Sequence, residues 1–259
     1  MLLPRVLTAV VGIPLLLFLI YWGGAAFDVF VGGVAALCLY EYTLIMAIGR
    51  RPTQGWWAVA YGALLALAQA FDGPVDLAVA VVLAAALLYE MAKRERSLDR
   101  LALTLFGAIA FGWMPAHLAR IRDLRPYGEK MTFLLFAAIW AMDTAAYAVG
   151  KTLGKRKLAP ELSPKKTWEG FFAGCAAAFG VVFAFRAATP DALPLPRALA
   201  VALAIAVLGQ LSDLAESMVK RAVGVKDSGA LLPGHGGVLD RFDSFILAAP
   251  AVYYLSTML

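Results

Sequence analysis

The sequence is poor in charge, in histidine and above all in cysteine. Of its 259 residues, two are Cys and two are His. Cys38 and Cys175 both lie inside apolar runs. That placement argues for buried free thiols and against a structural disulfide or a thiolate zinc site. Charged residues make up 16%, against about 25% in a soluble domain. No internal repeat at a fixed period and no low-complexity linker interrupts the chain. What is present instead is apolar: 62% of the residues are hydrophobic. The runs are too long and too many for a soluble core. The expected fold class is therefore an all-α polytopic membrane protein. It reads as a single membrane domain over 1–259, with mostly scaffold spans in 1–130 and the site in 131–259. The net charge of +5 suits anionic lipid or a phosphorylated ligand better than nucleic acid in such a composition.

A helix needs about 20 apolar residues to cross the bilayer core. Nine such spans are expected, at 6–23, 27–48, 56–71, 75–92, 101–119, 131–149, 168–187, 195–213 and 242–258. The third is short. The first, behind Arg5, has some features of a signal peptide, but its length and Pro14 favour a retained span. With nine crossings, Arg120, Arg122, Arg125, Lys130, Arg186 and Arg197 fall on one side, and every other Lys and Arg falls on the side of the N-terminus. The positive-inside rule then places the N-terminus in the cytoplasm and the C-terminus outside. It also places two polar loops, 150–167 and 214–241, on one face.

The richer loop is Ser217–Asp243, S-M-V-K-R-A-V-G-V-K-D-S-G-A-L-L-P-G-H-G-G-V-L-D-R-F-D. A charge cluster beside a bilayer is a functional-site hypothesis by default. Asp213, Glu216, Ser217 and Lys220 fall on one helical face. Gly236 and Gly237 can offer backbone donors to phosphate. A helix is expected from about Val238, with Asp240 and Asp243 on one of its faces. With Asp213 they would suit magnesium, which takes one or two carboxylates and fills its shell with water and phosphate. Asp240, Arg241 and Asp243 would also fit an ordinary helix start, and Lys220, Arg221 and Lys226 simple anchors. His235 between glycines tips the set toward a site.

The second region is Trp140–Gly170. Asp143 lies within a predicted span and needs a partner there, either a basic side chain, a metal or a neighbouring hydroxyl. Lys151, Lys155, Arg156 and Lys157 read as a mixture of anchors and phosphate ligands. Ser163 or Thr167 can cap the following span, with Glu169 in its first turn. Capping does not explain Lys165 and Lys166, because a helix start disfavours cations; at least one of them is expected to meet a phosphate. Glu41, Glu90, Asp28 and His117 read as paired, solvated or packing residues, and the Trp residues as an interfacial belt.

Together these motifs resemble the phosphatidate cytidylyltransferase (CDP-diacylglycerol synthase) family. The matching positions are Ser217, Lys220, Arg221, Lys226, Asp227, Gly229, Leu232, Pro233, His235, Gly236, Gly237, Asp240, Arg241 and Asp243. Asp143, Ser163-Pro164-Lys165 and Thr167-Trp168-Glu169-Gly170 resemble the family's second region, with Ala145 where many members have Gly. The N-terminal half resembles it only in being hydrophobic. The resemblance implies that CTP and phosphatidate react to give CDP-diacylglycerol and pyrophosphate, with magnesium and a possible second, monovalent cation. It implies a homodimer in the cell's inner membrane with its site open to the cytoplasm.

The residue types suit that chemistry. A phosphomonoester is largely dianionic at neutral pH, so the nucleophile needs no strong base. It needs positioning and charge neutralisation. The expected roles follow. Asp213, Asp240 and Asp243 hold cations on the CTP phosphates. Lys220, Arg221 and Arg241, with Lys226 nearby, neutralise triphosphate or pyrophosphate. Lys165 or Lys166 meets the phosphatidate head group. His235, Gly236 and Gly237 shape a phosphate loop, and Asp143 supports a metal or orients a lysine. Two rivals stand beside this reading: an ion-coupled transporter, which predicts an inverted repeat, and another membrane phosphotransferase, such as a CDP-alcohol or polyprenyl-phosphate enzyme.

Overall fold

The apolar runs form helices whose exposed faces stay apolar. In the computed structural model, which describes residues 3–232, 234 and 236–258, Val10, Val11, Leu83 and Leu88 are all exposed. Outward-facing aliphatics of this kind belong in lipid.

The helices are α1 (Leu3–Trp22), α2 (Gly24–Ile48), α3 (Trp56–Ala70), α4 (Val75–Ala92), α5 (Leu98–Gly107), α6 (Met114–Asp123) and α7 (Gly128–Thr152). A hairpin of β1 (Lys157–Ala159) and β2 (Ser163–Thr167) follows. The chain then forms α8 (Trp168–Ala188), α9 (Leu195–Ala222), α10 (Leu239–Phe242) and α11 (Phe245–Met258). Among the described residues, six helical segments are long and apolar enough to cross a membrane: α2, α4, the continuous Leu98–Asp123, α7, α8 and α9. The apolar parts at Thr8–Trp22 and Trp56–Ala70 are shorter, as is α11 with 14 residues. The chain is thus an all-α, multi-pass membrane protein with one small hairpin.

The contacts divide the chain into two compact units. The first comprises Met1–Asp123 and Val219–Phe242; the second comprises Leu124–Met218 and Asp243–Leu259.

In the first unit, small residues let helices approach closely, as is usual where hydrophobic burial cannot drive association. A Cβ on Gly112 would come within 2.7 Å of the Gly62 carbonyl oxygen. Tyr42 is fully buried and donates its hydroxyl to the Leu103 carbonyl at 2.9 Å. Between α5 and α6 the backbone loosens into a π-helical turn, Ala108–Trp113. Pro115, which has no N–H to give to the turn before it, sits just beyond. His117 is buried there, its Nδ1 lying 3.0 Å from the Met114 carbonyl oxygen; it packs, as expected. Glu90 is paired as expected too, by a two-point bond to Arg100 at 2.7 Å on each side and by Gln54 at 3.0 Å.

In the second unit, α7 packs along α8. A Cβ on Gly170 would come within 2.6 Å of the Ala146 carbonyl oxygen. The hairpin pairs Lys157 with Thr167 and Ala159 with Ser163. This corrects the expectation for Lys165 and Lys166. They lie in strand β2, just ahead of the Thr167 cap, and not in the first turn of the helix. Thr167 does cap α8, accepting from the Gly170 N–H at 3.2 Å. Glu169 reaches back to the N–H groups of Lys155 and Arg156, at 3.1 and 3.2 Å, and fixes the start of the hairpin.

Candidate active site

The Ser217–Asp243 segment does not fold as one loop leading into one helix. Helix α10 holds only four residues, and the chain turns at Asp243–Ser244 before α11 begins. Asp240 and Asp243 therefore do not share a face of a single helix, which corrects that expectation. Asp240 belongs to the first unit and Asp243 to the second.

In the first unit, Lys220 near the end of α9 bonds Asp240 at 2.6 Å, with both side chains about 90% buried. The same carboxylate accepts the N–H groups of Ser228 at 3.1 Å and Gly237 at 3.0 Å. Burial pushes the Asp240 carboxyl up, but the Lys220 ammonium and these two N–H groups outweigh it and hold the group below its ordinary value. The N–H of Gly237, expected to serve a phosphate, is thus directed to a side chain of the protein.

A residue set aside in the sequence proves central here. Glu41, on α2 and 1% exposed, accepts from the Ser228 hydroxyl at 3.0 Å, Val238 N–H at 3.1 Å and Leu239 N–H at 2.9 Å. It fills an anion nest made by the start of α10. Its carboxylate also accounts for two signature glycines, since a Cβ on Gly229 or Gly237 would come within 2.5 Å of it. Arg221 ties the loop from the other side, donating to the Val225 carbonyl at 2.9 Å. Lys226 and Arg241 are exposed. Gly236 takes a left-handed φ of 85°. His235 lies outside the described residues.

In the second unit, Asp143 on α7, Asp213 on α9 and Lys166 on β2 line one cavity of about 590 Å³. Lys166 bonds Asp213 at 2.7 Å with both side chains partly open to the cavity. Lys151, Lys157 and Lys165 line it as well, with Tyr147 and Gln210. Asp243 sits close enough to Asp213, Glu216 and Asp143 for their charges to repel it. The Ser212 hydroxyl donates to the Asp243 carbonyl oxygen and accepts the Leu247 N–H at 3.2 Å, which fixes the turn into α11. Of the expected residues, the second unit thus gathers Asp143, Lys165, Lys166, Asp213 and Asp243, and the first gathers Lys220, Arg221 and Asp240.

Asp143, Asp213 and Asp243 offer carboxylate oxygens, the donor type that magnesium takes, and Asp213 is engaged by Lys166 at 2.7 Å. Among the described residues no three acidic, His or Cys side chains converge into a closed metal cage.

The comparisons with known proteins are consistent with this geometry. Residues 3–259 match the family described as "Cytidylyltransferase family". The chain is 35% identical over 259 residues to the phosphatidate cytidylyltransferase of Bacillus subtilis (strain 168), covering 97% of this chain and 96% of that protein. It is 37% identical over 255 residues to the phosphatidate cytidylyltransferase of Brucella suis biovar 1, covering 96% and 91%. It is 33% identical over 285 residues to the phosphatidate cytidylyltransferase of Synechocystis, covering 98% and 96%. With a match from end to end, across the anchored glycine loop and the lysine-lined cavity alike, the chain belongs to the cytidylyltransferase family.

Proposed function

We propose that this protein transfers a cytidylyl group from CTP to phosphatidate, giving CDP-diacylglycerol and pyrophosphate. The observation that carries the reading is the cavity of the second unit, where four lysines face Asp143 and Asp213. Its volume of about 590 Å³ falls in the usual range for small-molecule sites. The lysines suit the phosphates of a nucleotide or a phospholipid head group.

In the reaction, an oxygen of the phosphatidate phosphate attacks the α-phosphorus of CTP. The bond from that phosphorus to the β-phosphate oxygen breaks, and its electron pair leaves with pyrophosphate. The nucleophile is already dianionic, so no residue need act as a strong base. Lys165, on β2, is assigned to the lipid phosphate. Lys166, held by Asp213, is poised to release that partner for a substrate oxygen. Lys151 and Lys157 offset the charge that builds on the leaving group. Asp143, Asp213 and Asp243 would hold magnesium, which when bound would neutralise the phosphate charge that otherwise repels the nucleophile. A second, monovalent cation beside the same carboxylates is part of the proposal. Asp240, expected as a metal ligand, is reassigned: its oxygens already serve Lys220, Ser228 and Gly237. In the first unit, Asp240 and Glu41 fix the glycine loop, with Lys220 held by Asp240 and Arg221 by the Val225 carbonyl.

The finer topology belongs to the same proposal. All nine apolar segments cross the membrane, the N-terminus and the catalytic residues face the cytoplasm, and the protein works in the cell's inner membrane as a homodimer. The basic residues on the N-terminal side support this orientation.

Purified full-length protein given radiolabelled CTP, phosphatidate and magnesium should form labelled lipid and pyrophosphate in equal amounts. No labelled lipid from a folded preparation would refute the reading. Flux of an ion across sealed vesicles without such a product would favour the transporter instead.

A further inference from the structure

A second cavity, of about 480 Å³, lies in the first unit and is lined by residues that the proposed reaction does not use. It opens where α2 ends. There the Arg50 N–H bonds the Ala47 carbonyl at 3.1 Å, and the Arg51 N–H bonds the Met46 carbonyl at 2.9 Å. This pattern closes a helix on a left-handed residue, a position that glycine usually fills. Here it is Arg50, with φ 56°. A side chain at that position is strained, and such strain persists where the side chain serves a purpose.

The guanidinium is well placed for one. Arg50 and Arg51 line the cavity with Ser97 and Arg100 at the start of α5. Arg100 is committed to Glu90. Among the described residues, neither Arg50 nor Arg51 has an ion-pair partner, although Asp99 also lines the cavity. The first turn of the long Leu98–Asp123 helix adds its positive dipole end, offset in part by Asp99 in that turn. The cavity therefore combines two uncommitted guanidinium groups with a dipole that favours an anion.

The surroundings point to the kind of anion. Pro52 and Leu103 line the cavity itself, and Ile48 (67%), two residues before Arg50, and Leu98 (82%), between Ser97 and Asp99, are exposed apolar side chains at the end of one helix and the start of another. A free anion has no use for such groups, whereas a lipid has a phosphate and acyl chains to match both. Gly49, one residue before Arg50, packs directly against Val223. The cavity is thus at the same end of the first unit as the glycine loop.

We propose that this cavity binds the phosphate ester of an anionic phospholipid head group. Binding there would brace the end of α2, the helix that also carries Glu41. The inference rests on the membrane fold and not on the proposed reaction, and its test does not use turnover.

The test is thermal unfolding of the full chain in detergent micelles doped with phosphatidylglycerol or phosphatidylcholine, with inorganic phosphate and pyrophosphate as separate arms. Phosphatidylglycerol should raise the unfolding midpoint by about 2–4 °C, and the other three additives by clearly less. Arg50→Gly should unfold at the same temperature as the parent or higher, since strain is released, yet lose most of the lipid shift. Arg51→Gln should lose it in part, and Arg94→Gln, an exposed loop charge, should keep it. A full shift in both Arg50→Gly and Arg51→Gln would overturn the proposal. So would an equal loss in Arg94→Gln, or an equal shift from phosphatidylcholine or from the soluble phosphates.

Discussion

At the residue scale, the decisive side chain is Glu41. Three buried donors converge on its carboxylate. Glu41→Ala should cost about 2–4 kcal/mol, because each orphaned donor loses about 1–3 kcal/mol and the loop can relax to recover part of it. Calorimetric or denaturant unfolding would show this. Faster hydrogen exchange across 228–239 should accompany it, with the rest of the unit unchanged. Glu41→Gln is not a benign substitute, because it places an NH₂ group among donors. Asp240 sets a pH dependence by the same logic. Its folded pKa is depressed, so its contribution is present above the unfolded value of about 3.9 and is lost as pH falls through the folded value. Stability should therefore drop on the acid side of about pH 4. In Asp240→Asn, that drop should flatten and turnover should fall at least tenfold with the fold retained; full activity in this variant would refute its proposed role. Glu41 itself was legible only in part. An acid inside an apolar run was visible in the sequence, as it was for Asp143, but nothing local shows that its partners lie nearly two hundred residues away.

At the element scale, periodicity and run length located the helices, since a membrane span must satisfy its own backbone bonds and declares itself by length. The hairpin was hidden. Lys157–Ala159 and Ser163–Thr167 are short and charged, with none of the alternation that marks a strand. The lysines of β2 were therefore assigned to a helix start. The break between α10 and α11 was hidden for a related reason. The sequence reads as one helix from about Val238, whereas the turn at Asp243–Ser244 is held by tertiary bonds from Ser212. One packing prediction belongs here. Gly170→Ala would drive a methyl group to 2.6 Å from the Ala146 carbonyl oxygen. It should destabilise the contact between α7 and α8 by about 1–3 kcal/mol, read as a lower unfolding midpoint. Gly180→Ala, which meets nothing within 4 Å, should have no such effect.

At the scale of the whole molecule, the membrane class was legible from composition alone, and the family from the spacing of the signature. The partition into two units was not, because each unit is built from two separate stretches of the chain. Topology can be tested at this scale. Cysteines placed at Glu95 and Asp191, in the α4–α5 and α8–α9 connections, should react from opposite sides of sealed, oriented vesicles with an impermeant thiol reagent. The native Cys38 is buried and Cys175 partly so, so the background should be low. Labelling of both positions from one side would overturn the proposed orientation.

The buried carboxylate of Glu41 also has a bearing on biogenesis. Its backbone donors lie 197 and 198 residues downstream. At about 5–20 residues per second, a ribosome would take roughly 10–40 seconds to deliver them. During that interval α2 must enter the bilayer with an acid whose final partners have not yet been synthesised. The first unit is therefore a late product of translation, closing only when residues 238 and 239 emerge. Nascent chains arrested before residue 238 should be sensitive to membrane quality-control proteases, and Glu41→Leu should extend the lifetime of the arrested chain even though it harms the finished protein.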